Sequence, residues 1–492
     1  MDNQRHQPNR PMNPRPERPA NYQQNRPSNP RRRKRSKMQI FMEAYLPVFI
    51  LLVAIVLIVV IIVTSVSRGA KNRKAAREES IANSISAQEE QARLDQEAQM
   101  ILSQANVLMQ SYDYAGAIAV LNSFSGDLSE YTQINDQIIA CEAAQKNMVA
   151  WTDPSQVVNL SFQLLMADPA RSFSNPNYGR DFNRKFITTG EFSKILQQLY
   201  DNDYVLVRLS DFIEEQTDAN NKTTYKAKPL YLPSGKKPLV LTQTNVNYSY
   251  YMVDSDNDKR PDAGGSGFAN KLLWDGSTFT SQMVDSSGRT ITGAYDLVPI
   301  LEEFVAQHPD FSYRGAKAIL ALTGFNGLFG YRTHPRAATY FGEAAYQKDI
   351  ADVKVLIDAL QKHGYTMAFY TYSNEPYGTF SAAEIQVDLQ DWVNEAVPII
   401  GNLDILVYPK QSDITTDQFY SGAKYELLHN AGFRYFIGFC NDGAPWTTIT
   451  DDYVRQGQLL VNGTNLAYRA DWFDSMFDAA SVLDPSRGTV PG

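Results

Sequence analysis

The sequence predicts an α/β domain with a parallel sheet, preceded by one membrane-spanning helix and a helical stalk. Three observations lead to this prediction. An unbroken apolar run lies near the N-terminus, and a charged pattern with helical composition follows it. From about residue 157, apolar β-branched runs alternate with helical patterns, which is typical of parallel sheets. At 492 residues the chain is also long enough for more than one folded unit.

The first 38 residues predict a disordered, basic cytoplasmic tail. They contain seven Pro, no Gly and few apolar residues, so they cannot bury enough surface to offset chain entropy. Residues 1–66 carry a net charge of +8, whereas the whole chain carries −8, so the remainder is −16. Because the acidic part is the folded part, we expect no nucleic-acid partner.

Residues 39–66 predict a transmembrane signal anchor. The run from Leu46 to Val63 is 18 apolar residues long, which is enough to cross a bilayer, and no convincing cleavage site follows it. The basic cluster 31–37 is denser than the positive charge after the span. We therefore expect a single-pass cell-membrane protein with its N-terminus in the cytoplasm and residues 67–492 outside.

Residues 67–150 predict a helical stalk. Residues 70–100 are charged and rich in Ala, Glu and Gln, and residues 97–147 have the apolar spacing of a small helical hairpin. The motif from Asp113 to Ile118 resembles a tetratricopeptide helix pair. Two interpretations stay open: a spacer that packs on itself or self-associates, and a surface that binds a protein partner. Cys141 and Cys440 indicate neither a disulfide framework nor a zinc site.

The part of the chain after residue 150 predicts alternating strands and helices. Strands are predicted at 158–166, 204–209, 238–242, 318–323, 366–371, 405–408 and 435–439. Helices are predicted at 191–200, 297–307, 346–363, 382–397 and 416–430. About seven strands that alternate with helices indicate a parallel sheet, open or closed.

Residues 155–485 resemble the polysaccharide deacetylase (NodB-like) domain family, and residues 486–492 form a short tail. The motifs that carry this resemblance are 166–171, 188–192, 324–333, 404–409 and Asp484-Pro485, together with the strand and polar end at 239–248. The resemblance implies a distorted (β/α)7 barrel and a Gram-positive cell-wall setting. Ligands of such barrels bind where the strands end.

The family's chemistry uses one Asp as general base and a metal held by an Asp and two His. The two Asp positions align with Thr244 and Asn245 here, and the two His positions align with Tyr370 and Asn374. Neutral amides and a protonated phenol are poor metal ligands, and Thr cannot act as a base near neutral pH. We therefore predict a pseudoenzyme without a metal cofactor at this position. The alternative is an active metal-dependent deacetylase with non-standard ligands.

Two other motifs offer competing chemistry. Asp254, Asp256 and Asp258 alternate in a loop, as in calcium sites, but no closing Glu follows; a solvated acidic loop is the other interpretation. Asn374-Glu375-Pro376 has the form of a glycoside hydrolase acid/base motif, which makes Glu375 a third candidate. His429 follows two Leu as in the family's late acid motif, but its context predicts a helix end.

Aromatic side chains at predicted strand ends indicate a sugar-binding surface. They are Tyr248, Tyr250, Tyr251, Tyr370, Tyr372, Tyr377, Tyr408 and Trp446. We take Tyr248, Tyr372, Tyr408 and Trp446 as substrate-binding candidates, together with Gln163, which stands where many relatives carry His. Several of these rings would serve equally well as core residues. The predicted function is to bind or organise cell-wall polysaccharide or peptidoglycan, or a cell-wall partner.

Overall fold

The computed structural model describes residues 50, 51, 53–55, 71–254, 262 and 265–492. Contacts between Cα atoms divide the chain into two units, 1–91 and 92–492. The predicted tail 1–38 and most of the predicted span 39–66 lie outside the described residues; within the span, 50, 51 and 53–55 are helical and exposed. Among the residues that are described, no helix is long and apolar enough to cross a membrane.

The second unit begins with three packed helices. They are the last part of α1 (Lys71–Gln110), α2 (Tyr114–Leu121) and α3 (Thr132–Lys146). Tyr112 adopts a left-handed backbone with φ 64° between the first two helices, and Asp113 accepts a hydrogen bond from the Gly116 N–H to cap α2. Small and branched residues fill the space between the three helices, including Ala105, Leu121 and Ile134.

The strands follow in chain order after these helices. They are β1 (Met148–Trp151), β2 (Val158–Phe162), β3 (Tyr204–Leu206), β4 (Ile213–Thr217), β5 (Thr223–Ala227), β6 (Leu230–Pro233), β7 (Lys237–Thr244), β8 (Lys271–Trp274), β9 (Phe279–Val284), β10 (Thr290–Gly293), β11 (Ala318–Leu322), β12 (Thr366–Phe369), β13 (Ile405–Val407), β14 (Tyr435–Phe439), β15 (Thr447–Ile449) and β16 (Val454–Leu460).

Seven of these strands form a closed parallel barrel. Their order around the barrel is β7, β11, β12, β13, β14, β16 and β2, and β2 pairs with β7 again to close the ring. This confirms the α/β class and the (β/α)7 barrel. Outside the ring, β3 pairs with the first half of β7, which leaves the second half free to pair with β11.

The helices surround the barrel or lie in its loops. After α3 they are α4 (Pro169–Ser174), α5 (Gly179–Lys185), α6 (Thr189–Asp201), α7 (Leu209–Phe212), α8 (Tyr250–Val253), α9 (Leu297–Gln307), α10 (Arg336–Phe341), α11 (Glu343–Lys362), α12 (Ala382–Glu395), α13 (Val397–Ile400), α14 (Ala423–Asn430), α15 (Gly463–Tyr468) and α16 (Ala479–Val482).

Side chains alternate between two hydrophobic clusters along each barrel strand. On β11, Ile319 and Ala321 belong to the cluster that includes the barrel interior, whereas Ala318, Leu320 and Leu322 belong to the larger cluster under the helices. This period of two is what a strand with both faces buried requires. The barrel interior is therefore filled by side chains, and its open end lies where the strands end.

One barrel strand differs from the prediction. The run at 204–209 gives β3, which lies outside the ring, and the seventh barrel strand is β16, which the sequence did not indicate. The sequence of β16, Val-Arg-Gln-Gly-Gln-Leu-Leu, contains too many polar residues to be recognised as a buried strand. Its Gln456 and Gln458 face the barrel interior, where they contribute to the polarity of this end of the barrel.

Candidate functional site

A cavity of about 480 Å³ lies at the ends of the barrel strands. Thr244, the last residue of β7, and Asn245 line it, as do Tyr370 and Asn374 after β12, so the four residues that the resemblance aligns with the deacetylase base and ligands come together here. Gln163, which follows β2, lines it as well. Ligand-binding cavities of this size are common in proteins, and the strand ends are where barrels hold their ligands.

The deep part of the cavity consists of uncharged polar side chains. Ser161 on β2 and Gln458 on β16 are both almost completely buried, and Asn245 is 7% exposed. Within the described part of the chain, the Ser161 hydroxyl, the Asn245 Oδ1 atom and both amide atoms of Gln458 have no hydrogen-bond partner. Buried polar atoms are nearly always paired in folded proteins, so a group of unpaired atoms around a cavity indicates that a ligand or water completes them.

A layer of paired polar side chains lies beneath these groups. Thr242 donates to the Asn159 Oδ1 atom at 2.9 Å, and the Asn159 amide donates to the Gln456 Oε1 atom at 3.0 Å. The Gln456 amide donates in turn to the Val157 carbonyl at 3.3 Å. This satisfied chain closes the barrel interior below the cavity.

The four residues that the resemblance aligns with the deacetylase base and metal ligands do not fit a metal ion. Burial raises the pKa of Tyr370 to about 12, and its hydroxyl is hydrogen-bonded with Thr244, so the phenol is protonated at neutral pH. Asn245 and Asn374 offer only neutral amide oxygens. Transition metals prefer imidazole, thiolate or carboxylate ligands, none of which this set provides. Within the described part of the chain, no three His, Cys, Asp or Glu side chains are grouped so that they could hold a metal ion.

The loops that carry these residues have an unusual backbone. Asn245, Asn374, Lys410 and Gln411 all line the cavity, and all have left-handed φ values between 53° and 60°. Asn tolerates this region better than most residues, whereas Lys and Gln rarely adopt it. Backbone of this kind persists only where the surrounding structure holds it, and it is concentrated at functional sites.

Asp388 on α12 holds the loop that follows β12. Its buried carboxylate accepts hydrogen bonds from the backbone N–H groups of Tyr372, at 2.7 Å, and Ser373, at 2.9 Å. It also accepts one from the Tyr377 hydroxyl at 2.7 Å. The loop between Tyr370 and Asn374 is therefore fixed to a helix of the outer layer.

Arg332 holds the loop that follows β7 in a comparable way. Its buried guanidinium donates to the carbonyls of Tyr248, at 2.8 Å, and Asn326, at 2.9 Å, and its centre lies 4.1 Å from the Tyr250 ring. The motif 324–333 therefore lies against the chain that leads away from Asn245. Arg332 does not line the cavity itself, so this motif supports the site by holding the loop in place.

One wall of the cavity is aromatic. It comprises Tyr178, Phe182 and Phe186, from α5 and its two flanking positions, and Tyr251 on α8. The Tyr251 ring centroid is 5.5 Å from that of Tyr178 and 6.4 Å from that of Phe182. Tyr178 and Tyr251 are about 40% exposed, so their rings form the outer part of this wall.

The charged groups that line the cavity lie in ion pairs, as far as the structure describes the chain. Asp181 accepts from Lys185 at 2.8 Å, and both line the cavity. Lys410 also lines it and lies 3.0 Å from Glu375. Glu375 itself is outside the lining, so the glycoside hydrolase candidate has its carboxylate in an ion pair at the edge of the site.

The four aromatic substrate-binding candidates lie outside the cavity lining. Tyr248 is fully buried and donates to Asp296, Tyr372 is buried and donates to Glu395, and Tyr408 is fully buried in the outer core. Trp446 donates to the Phe439 carbonyl at 3.2 Å and packs against Arg455. Of the aromatic residues named from the sequence, Tyr251 and Tyr370 are the two that line the cavity.

The remaining candidates are also separate from the cavity. Of the proposed calcium ligands, Asp254 is described and buried, whereas Asp256 and Asp258 lie outside the described residues. His429 lies at the end of α14, as expected from its sequence context, where burial lowers its pKa. His334 is buried, and burial, with Arg332 and Arg336 nearby, lowers its pKa to about 4.

A buried carboxylate lies on the outer side of β7. Asp296, which precedes α9, accepts hydrogen bonds from the Tyr248 hydroxyl at 2.5 Å and from the Gln243 amide at 2.8 Å. It also accepts one from the Leu165 N–H at 3.0 Å. Burial raises the pKa of Asp296 to about 6, although these hydrogen bonds oppose the shift. This group joins the ends of β2 and β7 to α9.

Several lining residues were not identified from the sequence. Ser161 and Gln458 belong to strands whose interior positions are polar, and an alternation of polar and apolar residues on β2 was the available signal. Tyr178, Phe182 and Phe186 recur at every fourth position, which places them on one face of a helical segment. That spacing was visible in the sequence, but nothing in it indicated that this face would meet the barrel.

Comparison with known proteins adds one weak likeness. No protein-family model matches the chain, and no curated protein matches it. Among solved structures, the Streptococcus pyogenes deacetylase PplD in complex with acetate shares 11% of its residues with this chain, at a TM-score of 0.32. The matched region covers 67% of this chain and 99% of PplD. A likeness at this level supports no inference about function.

Proposed function

We propose that this chain is a non-catalytic, deacetylase-like barrel that binds cell-wall glycan in the cavity at its strand ends. The observation that carries the proposal is the combination of unpaired neutral polar groups deep in the cavity with an aromatic wall. A sugar offers the complementary surfaces, because its hydroxyl groups donate and accept hydrogen bonds and its C–H faces pack on rings.

The donor set supports binding without deacetylation. Thr244 stands at the position of the family's base, and the protonated Tyr370 and neutral Asn374 stand at its two His positions. Among the described residues of the lining, Asp181 is the one carboxylate, and it is paired with Lys185. An active deacetylase would need a base and a metal from other residues, and a glycoside hydrolase would need Glu375 to leave Lys410.

The setting that we propose follows from the sequence. Residues 39–66 would anchor the chain in the cell membrane, with the N-terminus in the cytoplasm and the barrel outside. The barrel would then face the cell wall, where polysaccharide and peptidoglycan are available. The helices before the barrel would serve as a spacer or meet a protein partner.

The test uses the full-length chain in a detergent without a sugar headgroup, which avoids competition for the cavity. We expect the protein to sediment with purified peptidoglycan and to release no acetate from N-acetylated chitooligosaccharides. Tyr251→Ala and Tyr178→Ala should each weaken binding by about 0.5–1.5 kcal/mol, the contribution of one aromatic contact.

Tyr231→Ala is the matched control, because Tyr231 is an exposed tyrosine outside the cavity lining. It should bind as the unmodified protein does. Acetate release above that of a metal-stripped sample would refute the non-catalytic proposal. Equal binding by all three Tyr variants would refute the assignment of the cavity.

A further inference from the structure

We infer that Ser161 and Gln458 determine the specificity of this cavity by binding a hydroxyl-bearing, uncharged sugar ring. The inference rests on the proposed function and names the ligand class and the residues that select it. Ser161 is on β2 and Gln458 on the neighbouring strand β16, so both project from adjacent strands into the same interior.

The hydrogen-bonding capacity of the two side chains defines what they can bind. The Gln458 amide has both donors and an acceptor to offer, and the Ser161 hydroxyl is both a donor and an acceptor. None of these atoms has a partner within the described residues. A hydroxyl group can pair with both the unpaired donors and the unpaired acceptors, because it donates one hydrogen bond and accepts others.

The neighbouring interior side chain on β16 does not satisfy these atoms. The next interior group on β16, Gln456, is already used by Asn159 and Val157, so it cannot turn toward Gln458 without losing its own bonds. The layer to which it belongs also closes the barrel from below. The unpaired atoms of Gln458 therefore lie on the cavity side of this layer, where a ligand can reach them.

The charge distribution selects against ionic sugars. Ser161, Gln458, Asn245 and Tyr370 are uncharged, and the charged residues of the lining lie nearer the exposed edge, with Lys185 and Lys410 each in an ion pair. An ammonium or carboxylate placed against this neutral interior would lose its hydration without gaining a counter-charge. A neutral sugar ring loses much less hydration free energy on entering the same interior.

The experiment compares two tetrasaccharides of the same length, chitotetraose and its fully deacetylated, cationic counterpart. Binding is measured by calorimetry with the full-length chain, under conditions in which the amines are protonated. The unmodified protein should bind chitotetraose at least about tenfold more tightly than the cationic tetramer. Gln458→Met should weaken chitotetraose binding about tenfold without a lower melting temperature, because the atoms it removes are unpaired. Ser161→Ala, which changes the side chain less, should also weaken chitotetraose binding about tenfold without a lower melting temperature.

Gln458→Glu gives a readout that a purely structural role would not produce. The two side chains have nearly the same shape, but Glu places an acceptor of negative charge where the amide was. We expect this variant to reverse the preference, so that it binds the cationic tetramer more tightly than chitotetraose. If the unmodified protein binds neither tetramer, the inference and its glycan-binding basis both fail. If it binds chitotetraose while Gln458→Met, Gln458→Glu and Ser161→Ala keep its affinity and preference, the inference alone fails.

Discussion

Gln456 and Gln458 lie two residues apart on β16 and face the same barrel interior, but only Gln456 is paired through its side chain. Its Oε1 atom accepts from Asn159 and its amide donates to the Val157 carbonyl. Both amide atoms of Gln458 are without a partner in the described part of the chain. Gln456 therefore stabilises the core through hydrogen bonds, whereas Gln458, on the same strand, presents its amide to the cavity.

This contrast predicts opposite effects on stability. Gln456→Met removes the acceptor of the buried Asn159 amide and a donor to the Val157 carbonyl, so we expect it to lower the free energy of unfolding by about 1–3 kcal/mol. Gln458→Met removes two unpaired atoms, so we expect no loss and a small gain. Thermal unfolding of the two variants beside the unmodified protein is the measurement. An equal loss in both would show that Gln458 has a structural partner.

The barrel was predictable because most of its strands are apolar on both faces. Strands such as β11, with the sequence Ala-Ile-Leu-Ala-Leu, are typical of the centre of a parallel sheet, where both faces are buried. β16 was missed for the opposite reason, since Arg455, Gln456 and Gln458 are each buried only because a specific partner or cavity receives them. Single-sequence patterns do not reveal such partners.

The candidate site was predictable where position along a strand determines it. Thr244 is the last residue of β7 and Tyr370 directly follows β12; both strands could be recognised, and parallel strands bring their ends together. Tyr248 and Tyr372 are just as close to strand ends, but their hydroxyls donate to Asp296 and Glu395 away from the cavity. Whether a ring near a strand end faces the cavity or the core depends on the path of the following loop, which local sequence does not determine.

Asp388→Ala should destabilise the loop after β12. It removes the acceptor for the N–H groups of Tyr372 and Ser373 and for the Tyr377 hydroxyl. Because these donors are buried and the acceptor is a carboxylate, we expect a loss of about 3 kcal/mol in the free energy of unfolding. Chitooligosaccharide binding should also weaken, since Asn374 is held through this loop.

Val387→Ala on the same helix is the matched control, because Val387 is 64% exposed. It should change stability by less than about 0.5 kcal/mol. Urea unfolding of both variants measures the difference. A loss in Asp388→Ala no larger than that of the control would contradict the role given to this carboxylate.

Asp296 predicts a pH dependence of stability with a defined sign. Burial raises its pKa from 3.8 to about 6, so between about pH 4 and pH 6 the folded state holds a proton that the unfolded state has released. The contribution of Asp296 to the free energy of unfolding is therefore fully present below about pH 4 and is lost as the pH rises through 6. A shift of this size corresponds to a change on the order of 2–3 kcal/mol.

The measurement is the difference in unfolding free energy between the unmodified protein and Asp296→Asn from pH 4 to pH 7. The other carboxyl groups are the same in both proteins, so their contributions cancel in the difference. The unmodified protein should lose stability relative to the variant as the pH rises through this window. A flat difference, or one of opposite slope, would show that the three donors stabilise the carboxylate at least as much as burial destabilises it.

The membrane topology that we propose predicts accessibility from outside the cell. Protease added to intact cells or protoplasts should degrade the barrel, because the dense basic cluster 31–37 precedes the apolar run and keeps the N-terminus inside. A cytosolic protein followed in the same samples should stay intact. Degradation of the barrel only after lysis would place residues 67–492 on the other side of the membrane.

The polar residues that the resemblance aligns with the deacetylase metal ligands predict that metal binding can be introduced by side-chain substitution alone. Asn245 and Asn374 have φ values of 60° and 58°, a region in which Asp and His are also found more often than other residues. Asn245→Asp, Tyr370→His and Asn374→His together would place one carboxylate and two imidazoles around the cavity, a ligand set that suits zinc. We expect the triple variant to retain stoichiometric zinc after dialysis and the unmodified protein to retain none, as measured by elemental analysis.

The variant that omits Asn374→His should retain less zinc, because it has one ligand fewer. Stoichiometric zinc in the unmodified protein that is lost on Asn245→Ala would contradict the proposal and favour an active deacetylase.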